Sequence, residues 1–181
     1  MRKINAFLWF DSEAEQAAKF YVGIFKNSKI GKIARYPKKA AEKVGRPPRS
    51  VMTVEFTLDR VEFVALNGGP QFKFSEAISF SVNCETQEEI DYFWAKLSAG
   101  GGSTGRCGWL RDKFGLSWQI NPVVLGDMLA DPDPGKADRV MKAMMEMDKI
   151  DIAALERPQG EMTNDKRRMR TLTQMLFFGF T

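Results

Sequence analysis

"AISFSVNCETQEEIDYFWAKL", residues 77–97, decides the fold, because it starts a pattern that the chain has already used once. Its first part alternates, with one apolar set made of Ile78, Phe80, Val82 and Cys84. Alternation with a period of two predicts a half-buried strand. Thr86 and Glu89 then have the spacing of a capping box, which satisfies free amide groups at a helix start. The apolar stripe that follows has helical spacing and consists of Ile90, Phe93, Trp94 and Leu97.

The same order occurs near the beginning of the chain. Residues 4–10 predict a buried strand, and Ser12 and Glu15 repeat the capping-box spacing 74 residues before the second one. A strand over 29–36, a proline-rich loop over 36–50 and a hairpin that turns at Asp59-Arg60 complete the unit. The chain is therefore predicted to be an α+β protein of paired βαβββ modules, with helices on one face of curved sheets.

These patterns also predict the domain organisation. Module one covers about 3–68 and module two about 76–122, and the last hairpin of module two turns at "RDKFG". Helices are expected over 122–157, so that one domain spans 1–157. The tail, 158–181, joins a basic run to "MLFFGF", and we expect it to be disordered or a non-native extension. The alternative is a segment that binds a partner or a membrane surface.

Composition excludes several classes of function. The net charge is only +4 over 181 residues, which does not indicate a nucleic-acid partner. There is no histidine, so Ser-His-Asp and Cys-His catalysis and His-ligated zinc are excluded. Two cysteines are too few for a disulfide framework, and no apolar run is long enough to span a bilayer. These features favour a cytoplasmic protein with no membrane partner.

Several ordered motifs carry a resemblance to a known family. They are "LWFDSEAEQAAKFYVGIFKNS" (8–28), "SVMTVEFTLD" (50–59), "ALNGGPQFKFSEAISFSVNC" (65–84), "CGWLRDKFGLSWQINP" (107–122) and "KIDIAALE" (149–156). With the doubled module, the chain resembles the vicinal oxygen chelate superfamily of glyoxalase I, extradiol dioxygenases and bleomycin-binding proteins. Within it, the chain is similar to the PhnB-like branch, often labelled 3-demethylubiquinone-9 3-methyltransferase.

The resemblance implies a cup in each curved sheet, and in many members a divalent metal in that cup. The positions that match the family's metal ligands are Ala6, Ala77 and Gln119, with Asn67 as the one polar candidate for the remaining ligand. Metals prefer anionic or imidazole donors, which alanines and neutral amides do not supply. We therefore expect neither a bound metal nor another cofactor.

Gln119 is the main candidate for ligand binding, because alternation places Ser117 and Gln119 on the face opposite Leu116, Trp118 and Ile120. Ser79 is expected to line the same cup, and Trp9 and Trp109 to stack on an aromatic ligand. The ordinary alternative for Gln119, Ser117 and Ser79 is a solvated polar face of the sheet. For the two tryptophans it is simple packing in the core.

Glu55 is a weaker, catalytic candidate, since a carboxylate in a half-apolar cup would have a raised pKa and could act as a base. The alternative is an exposed charge.

Two functions are compatible with these features: metal-independent binding of a small molecule in the cup, or an enzyme of the superfamily such as a lyase, a dioxygenase or the labelled methyltransferase. A cup filled by side chains would instead make the protein an assembly module. The resemblance also implies a homodimer.

Overall fold

Module one forms a four-stranded sheet, here named sheet A, in the computed structural model, which describes residues 3–157. Its elements are β1 (Ala6–Phe10), α1 (Ala14–Val22), β2 (Lys29–Arg35), α2 (Lys38–Lys43), β3 (Val51–Leu58) and β4 (Val61–Asn67). The strand order is β1-β4-β3-β2, in which β1 and β4 are parallel and the other pairs antiparallel.

Module two repeats this arrangement in sheet B. Its elements are β5 (Ser79–Cys84), α3 (Gln87–Ser98), β6 (Ser103–Thr104), β7 (Trp109–Arg111) and β8 (Ser117–Pro122). The order β5-β8-β7-β6 is the order of sheet A, again with one parallel pair, β5 and β8. The α+β fold of two βαβββ modules predicted from the sequence is therefore confirmed.

Three short helices follow module two, where the sequence predicts them. They are α4 (Leu125–Leu129), α5 (Pro134–Met145) and α6 (Ile152–Glu156). The Gln87 side chain fixes the approach to α6, because its Nε2 donates to the carbonyl of Ile150 and its Oε1 accepts from the amide of Ile152. The tail at 158–181 lies outside the described residues. Within 3–157, no helix is long and apolar enough to cross a membrane.

The core lies between the two sheets, with α1 packed against both of them. We call the side of each sheet that faces this core its inner face and the opposite side its outer face. Phe63 of sheet A and Phe80 of sheet B meet with ring centroids 5.2 Å apart, and Phe25 stacks on Trp118 at 5.6 Å. Because side chains alternate along a strand, the residues between these apolar positions lie on the outer faces.

Asp112 links the two modules inside this core. It is only 2% exposed and accepts four hydrogen bonds. Its Oδ2 accepts from the hydroxyl of Tyr21 on α1 and from Trp118 Nε1, each at 2.8 Å. Its Oδ1 accepts from the amides of Phe114 and Leu116 at 2.8 and 3.1 Å. Burial raises the pKa of the Asp112 carboxyl, and the four donors act in the opposite direction.

The two predicted capping boxes have different outcomes. Thr86 begins α3, and its Oγ1 accepts from the amide of Glu89, as the sequence predicts. The prediction of a capping box at Ser12 and Glu15 is wrong, because a side chain from β4 caps the start of α1. Asn67 Oδ1 accepts from the amide of Ala14 at 2.8 Å. Glu15 instead forms an ion pair with Lys19. A distant side chain has thus replaced the local cap.

The loop predicted over 36–50 is also partly wrong, because it contains the helix α2. Pro37 supplies the extended residue before the helix, and the run KKAAEK consists of good helix formers. Ala41 packs this helix onto the protein and is fully buried. The prolines and lysines of the segment predict a loop. The buried side chain of Ala41 nevertheless anchors a helix of six residues.

Asp112→Asn is expected to lower the free energy of unfolding by about 2–4 kcal/mol, because an amide group would face donors that need an acceptor. Tyr21→Phe removes one donor and should cost about 1–2 kcal/mol. Urea denaturation measures both changes.

Tyr92→Phe is the matched control, since Tyr92 also donates its hydroxyl, but to the carbonyl of Ile24 and at a residue that is 41% exposed. Its effect should be smaller than that of Tyr21→Phe. Equal losses for the two tyrosines, or an Asp112→Asn protein as stable as the wild type, would contradict the linking role of Asp112.

Candidate functional site

The outer face of sheet B is lined by hydrogen-bonding groups that are uncharged except for Arg111 at one edge, and we call it the polar face. Its members are Ser79, Ser81 and Asn83 on β5, Ser117, Gln119 and Asn121 on β8, and Trp109 and Arg111 on β7. Gln119 on β8 lies between two register partners on the neighbouring strands. Ser81 is its partner on β5, and Trp109 is its partner on β7. The inner face of the same strands is apolar and buried.

Gln119 is held in one orientation at the centre of this face. Its Nε2 donates to Ser79 Oγ at 2.8 Å, and the side chain is half-buried. One N–H and the amide oxygen remain available, because a carboxamide carries two donor hydrogens and two acceptor lone pairs. Trp109 places a half-buried indole in the neighbouring register position. The arrangement can bind a flat molecule by stacking while it donates and accepts one hydrogen bond.

The structure brings four of the five predicted ligand-binding residues together on the polar face: Gln119, Ser79, Ser117 and Trp109. Ser117 lies at the base of this group, since it is only 2% exposed and is the register partner of both Ser79 and Arg111. It supports the surface rather than forming it. Asn121 was not predicted, yet it donates to Ser81 Oγ at 3.4 Å and extends the polar row. The alternating pattern of "SWQIN" contained the signal for it.

Trp9 lies apart from these residues, on sheet A. Its Nε1 donates to the carbonyl of Gly69 at 2.8 Å, and its ring meets Phe72 edge-to-face at 4.9 Å. Gly68 is required beside it, because a Cβ there would come within 2.2 Å of the indole. Trp9 is therefore fixed by the segment that connects the two modules. The sequence could not show this separation, because it depends on how the two sheets pack.

Glu55 also lies on sheet A, on the outer face of β3 opposite Val64. Its side chain is exposed, so the half-apolar surroundings proposed for a catalytic base are not present within this chain. The structure does not bring Glu55 to Gln119, since the two residues belong to different sheets.

The positions matched to metal ligands do not fit a metal. Asn67 is 6% exposed, and both ends of its amide are used, toward the amide of Ala14 and the carbonyl of Val51. Ala6 packs toward the core and Ala77 lies in the turn before β5. Gln119 alone offers a free oxygen. In the part of the chain that the structure describes, no three His, Cys, Asp or Glu side chains group in a way that could hold a metal ion.

The two cysteines lie in different surroundings. Cys84 is fully buried, and burial, with a smaller contribution from the Glu89 carboxylate, raises its pKa to about 12. Its thiol is therefore neutral and unreactive at ordinary pH. Cys107 is half-buried and has a left-handed backbone (φ 57°), and its amide donates to the carbonyl of Met147. Its backbone joins the last hairpin to the C-terminal helices, which is a structural role.

The paired βαβββ modules define a protein of the vicinal oxygen chelate superfamily. Residues 2–121 match the family model described as 3-demethylubiquinone-9 3-methyltransferase, and the chain belongs to this family, the PhnB-like branch. The PhnB protein from Bacillus cereus is 34% identical, with a TM-score of 0.60 over 67% of this chain and all of that one.

Two other solved structures share the fold. The protein PA1353 from Pseudomonas aeruginosa is 17% identical, with a TM-score of 0.53 over 67% of this chain and 98% of that one. The fosfomycin resistance protein FosX from Mesorhizobium loti is 11% identical, with a TM-score of 0.50 over 72% of this chain and 99% of that one. No curated protein matches the sequence.

Purified protein is expected to contain far less than one divalent metal ion per chain by elemental analysis, because only one of the four matched positions has a free donor. Chelator should leave the melting temperature unchanged for the same reason. A stoichiometric metal that is lost in Gln119→Ala but kept in Asn5→Ala would contradict this assignment. Asn5 is an exposed amide outside the strands and serves as the matched control.

Proposed function

We propose that this protein binds a small molecule on the polar face without a metal. The observation that carries the proposal is the hydrogen bond from Gln119 Nε2 to Ser79 Oγ, at 2.8 Å, next to Trp109. It holds a neutral amide in a fixed orientation beside an aromatic surface, so that little side-chain freedom is lost when a ligand binds. Few convergent polar groups beside an aromatic wall are typical of small-molecule sites.

The chemistry of this face favours a neutral, planar ring that carries hydroxyl or carbonyl groups. Gln119 can donate to a carbonyl and accept from a hydroxyl, and Trp109 can stack on the ring. The polar face has no carboxylate that would repel an electron-rich ring, and its one cation, Arg111, lies beside Glu76 at 3.6 Å. The family's description names a demethylated ubiquinone, whose ring has these groups, and this supports the same class of ligand.

We further propose that a second copy of the chain closes the cup. The outer face of sheet A exposes Phe7, which is 60% accessible, and next to it are the half-buried Val64 and Leu66. Exposed aromatic and aliphatic groups that lie together are typical of surfaces that bind a partner. In a two-fold dimer, sheet A of each copy would cover the polar face of the other, so that both exposed faces are buried.

The free cysteines fit a protein that works in the reducing cytoplasm.

The enzyme hypothesis depends on the same dimer. Glu55 lies on the outer face of sheet A, and a second copy is the route by which it would reach a ligand on the polar face. Among residues 3–157 no acid or base stands beside Gln119, and therefore binding is the function that the geometry supports best. Glu55→Gln should leave ligand affinity unchanged if binding is the whole function.

Methoxyhydroquinone, a neutral ring with hydroxyl groups, is a suitable probe for this site. Gln119→Ala should weaken its binding about tenfold in a calorimetric or NMR titration, because two ligand hydrogen bonds are lost. Asn5→Ala is the control and should bind like the wild type. Equal affinity of the wild type and Gln119→Ala would overturn the proposal.

Phe7→Asp is expected to convert the dimer to a monomer in light scattering coupled to size exclusion, because a carboxylate would be buried at the interface. Met145→Asp is the matched control, since Met145 is 62% exposed on α5, which belongs to neither sheet. A wild-type protein that stays monomeric at high micromolar concentration, or a Phe7→Asp protein that stays dimeric, would argue against closure of the cup by a second copy.

A further inference from the structure

A second cavity lies between the two modules and adjoins the polar face at Arg111, and we call it the inter-module cleft. Its volume is about 590 Å³, which is within the range of small-molecule sites. One wall comes from the end of β1 and the start of α1, and the opposite wall from the hairpin turn over 111–115. The connecting segment over 70–74 forms the third side. Three separate parts of the chain therefore converge on one space.

Aromatic rings with fixed orientations line this cleft. Trp9 is held by its hydrogen bond to the carbonyl of Gly69 and by its contact with Phe72. Phe74 and Phe114 both meet Phe10 edge-to-face, at 5.2 and 6.1 Å. Phe72 is 64% exposed even though it contacts Trp9, so an apolar surface remains open at the cleft. A rigid aromatic surface with one exposed ring is suited to a flat apolar group.

The charges of the cleft are not balanced. Its lining contains two acids, of which Asp11 already forms an ion pair with Arg46 at 3.1 Å. Against them stand three cations, Lys73, Arg111 and Lys113. On the basic side, Arg111 meets Glu76 only at 3.6 Å, where both side chains are more than half exposed. Such a pair contributes little and is easily exchanged. The cleft therefore retains positive charge for an incoming anion.

Lys113 gives this charge a defined position. Its Nζ lies 4.4 Å from the ring centroid of Phe20 and 5.2 Å from that of Phe114. The contact is a cation–π interaction, which orders the long side chain along the wall of the cleft. Because the rings do not neutralise the ammonium group, it can still pair with a carboxylate.

We propose that the inter-module cleft binds an aromatic monocarboxylate, with its ring against Trp9 and Phe72 and its carboxylate toward Lys113 and Arg111. This site goes beyond the proposed function, because it uses a different cavity and an anionic rather than a neutral ligand. The backbone amides of Gly100 and Gly115, which border the cleft, report on its occupancy. Those of Ser79 and Gln119 report on the polar face.

The test uses 1-naphthoate as the probe, with 1-naphthamide as its neutral analogue, in NMR titrations of the full chain. Naphthoate should shift the amides of Gly100 and Gly115 and bind about tenfold more tightly than naphthamide. Lys113→Met keeps the apolar stem but removes the charge, and it should weaken naphthoate binding several-fold. Lys96→Met is the matched control, because Lys96 also lies over a ring, that of Tyr92, but outside the cleft.

A second pair of variants tests the aromatic wall. Phe72→Ala should weaken naphthoate binding several-fold, whereas Met145→Ala, at an apolar side chain of similar exposure on α5, should not. Gln119→Ala should leave naphthoate binding unchanged, which separates this proposal from the one for the polar face. Shifts centred on Gln119, equal affinity for the acid and the amide, or insensitivity to both Lys113→Met and Phe72→Ala would overturn the proposal.

Discussion

The burial of one carboxylate, that of Asp112, is the constraint on which the rest of the structure depends. A buried charge is tolerated only when its oxygens are fully hydrogen-bonded, and here the donors come from both modules. The hydroxyl of Tyr21 donates to it from α1, and Nε1 of Trp118 donates to it from β8. The carboxylate therefore fixes the distance and orientation between the helix of the first module and the last hairpin of the second. Of the four bonds, the one from Tyr21 joins the two modules, and the other three, from within the hairpin, hold its acceptor in place.

The same hairpin carries the two surfaces for which we propose ligands. On its outer face, β7 and β8 present Trp109 and Gln119, and its turn places Lys113 in the inter-module cleft. Asp112 closes that turn by accepting from the amides of Phe114 and Leu116. One buried side chain thus positions a neutral site on one side of the hairpin and a basic cleft at its end. Loss of Asp112 would disturb both surfaces through the position of the hairpin, although its side chain lies on neither of them.

Patterns with a short period were sufficient to predict the architecture. Alternation in β5 and the cap at Thr86 are local, because each is decided by neighbours in sequence, and both are present in the structure. Ser79 and Gln119 could be assigned to one face for the same reason. Asp112 looked like an ordinary turn residue, and its partner Tyr21 is 91 positions away. The separation of Trp9 from Gln119 likewise depends on the packing of two sheets, which no local pattern encodes.

Asn67 and Gln119 show how neutral amides change what this fold can do. The resemblance to metal-binding relatives places both residues at or near ligand positions, yet Asn67 caps α1 from within the core. An anionic residue there would bury a charge beside the carbonyl of Val51, which now accepts from the amide nitrogen of Asn67. Stability of the first module therefore favours the amide. Once that position is committed to the helix, none of the other matched positions supplies Gln119 with a second free donor for a metal. Its remaining chemistry is hydrogen bonding, which selects ligands by the placement of donors and acceptors rather than by charge.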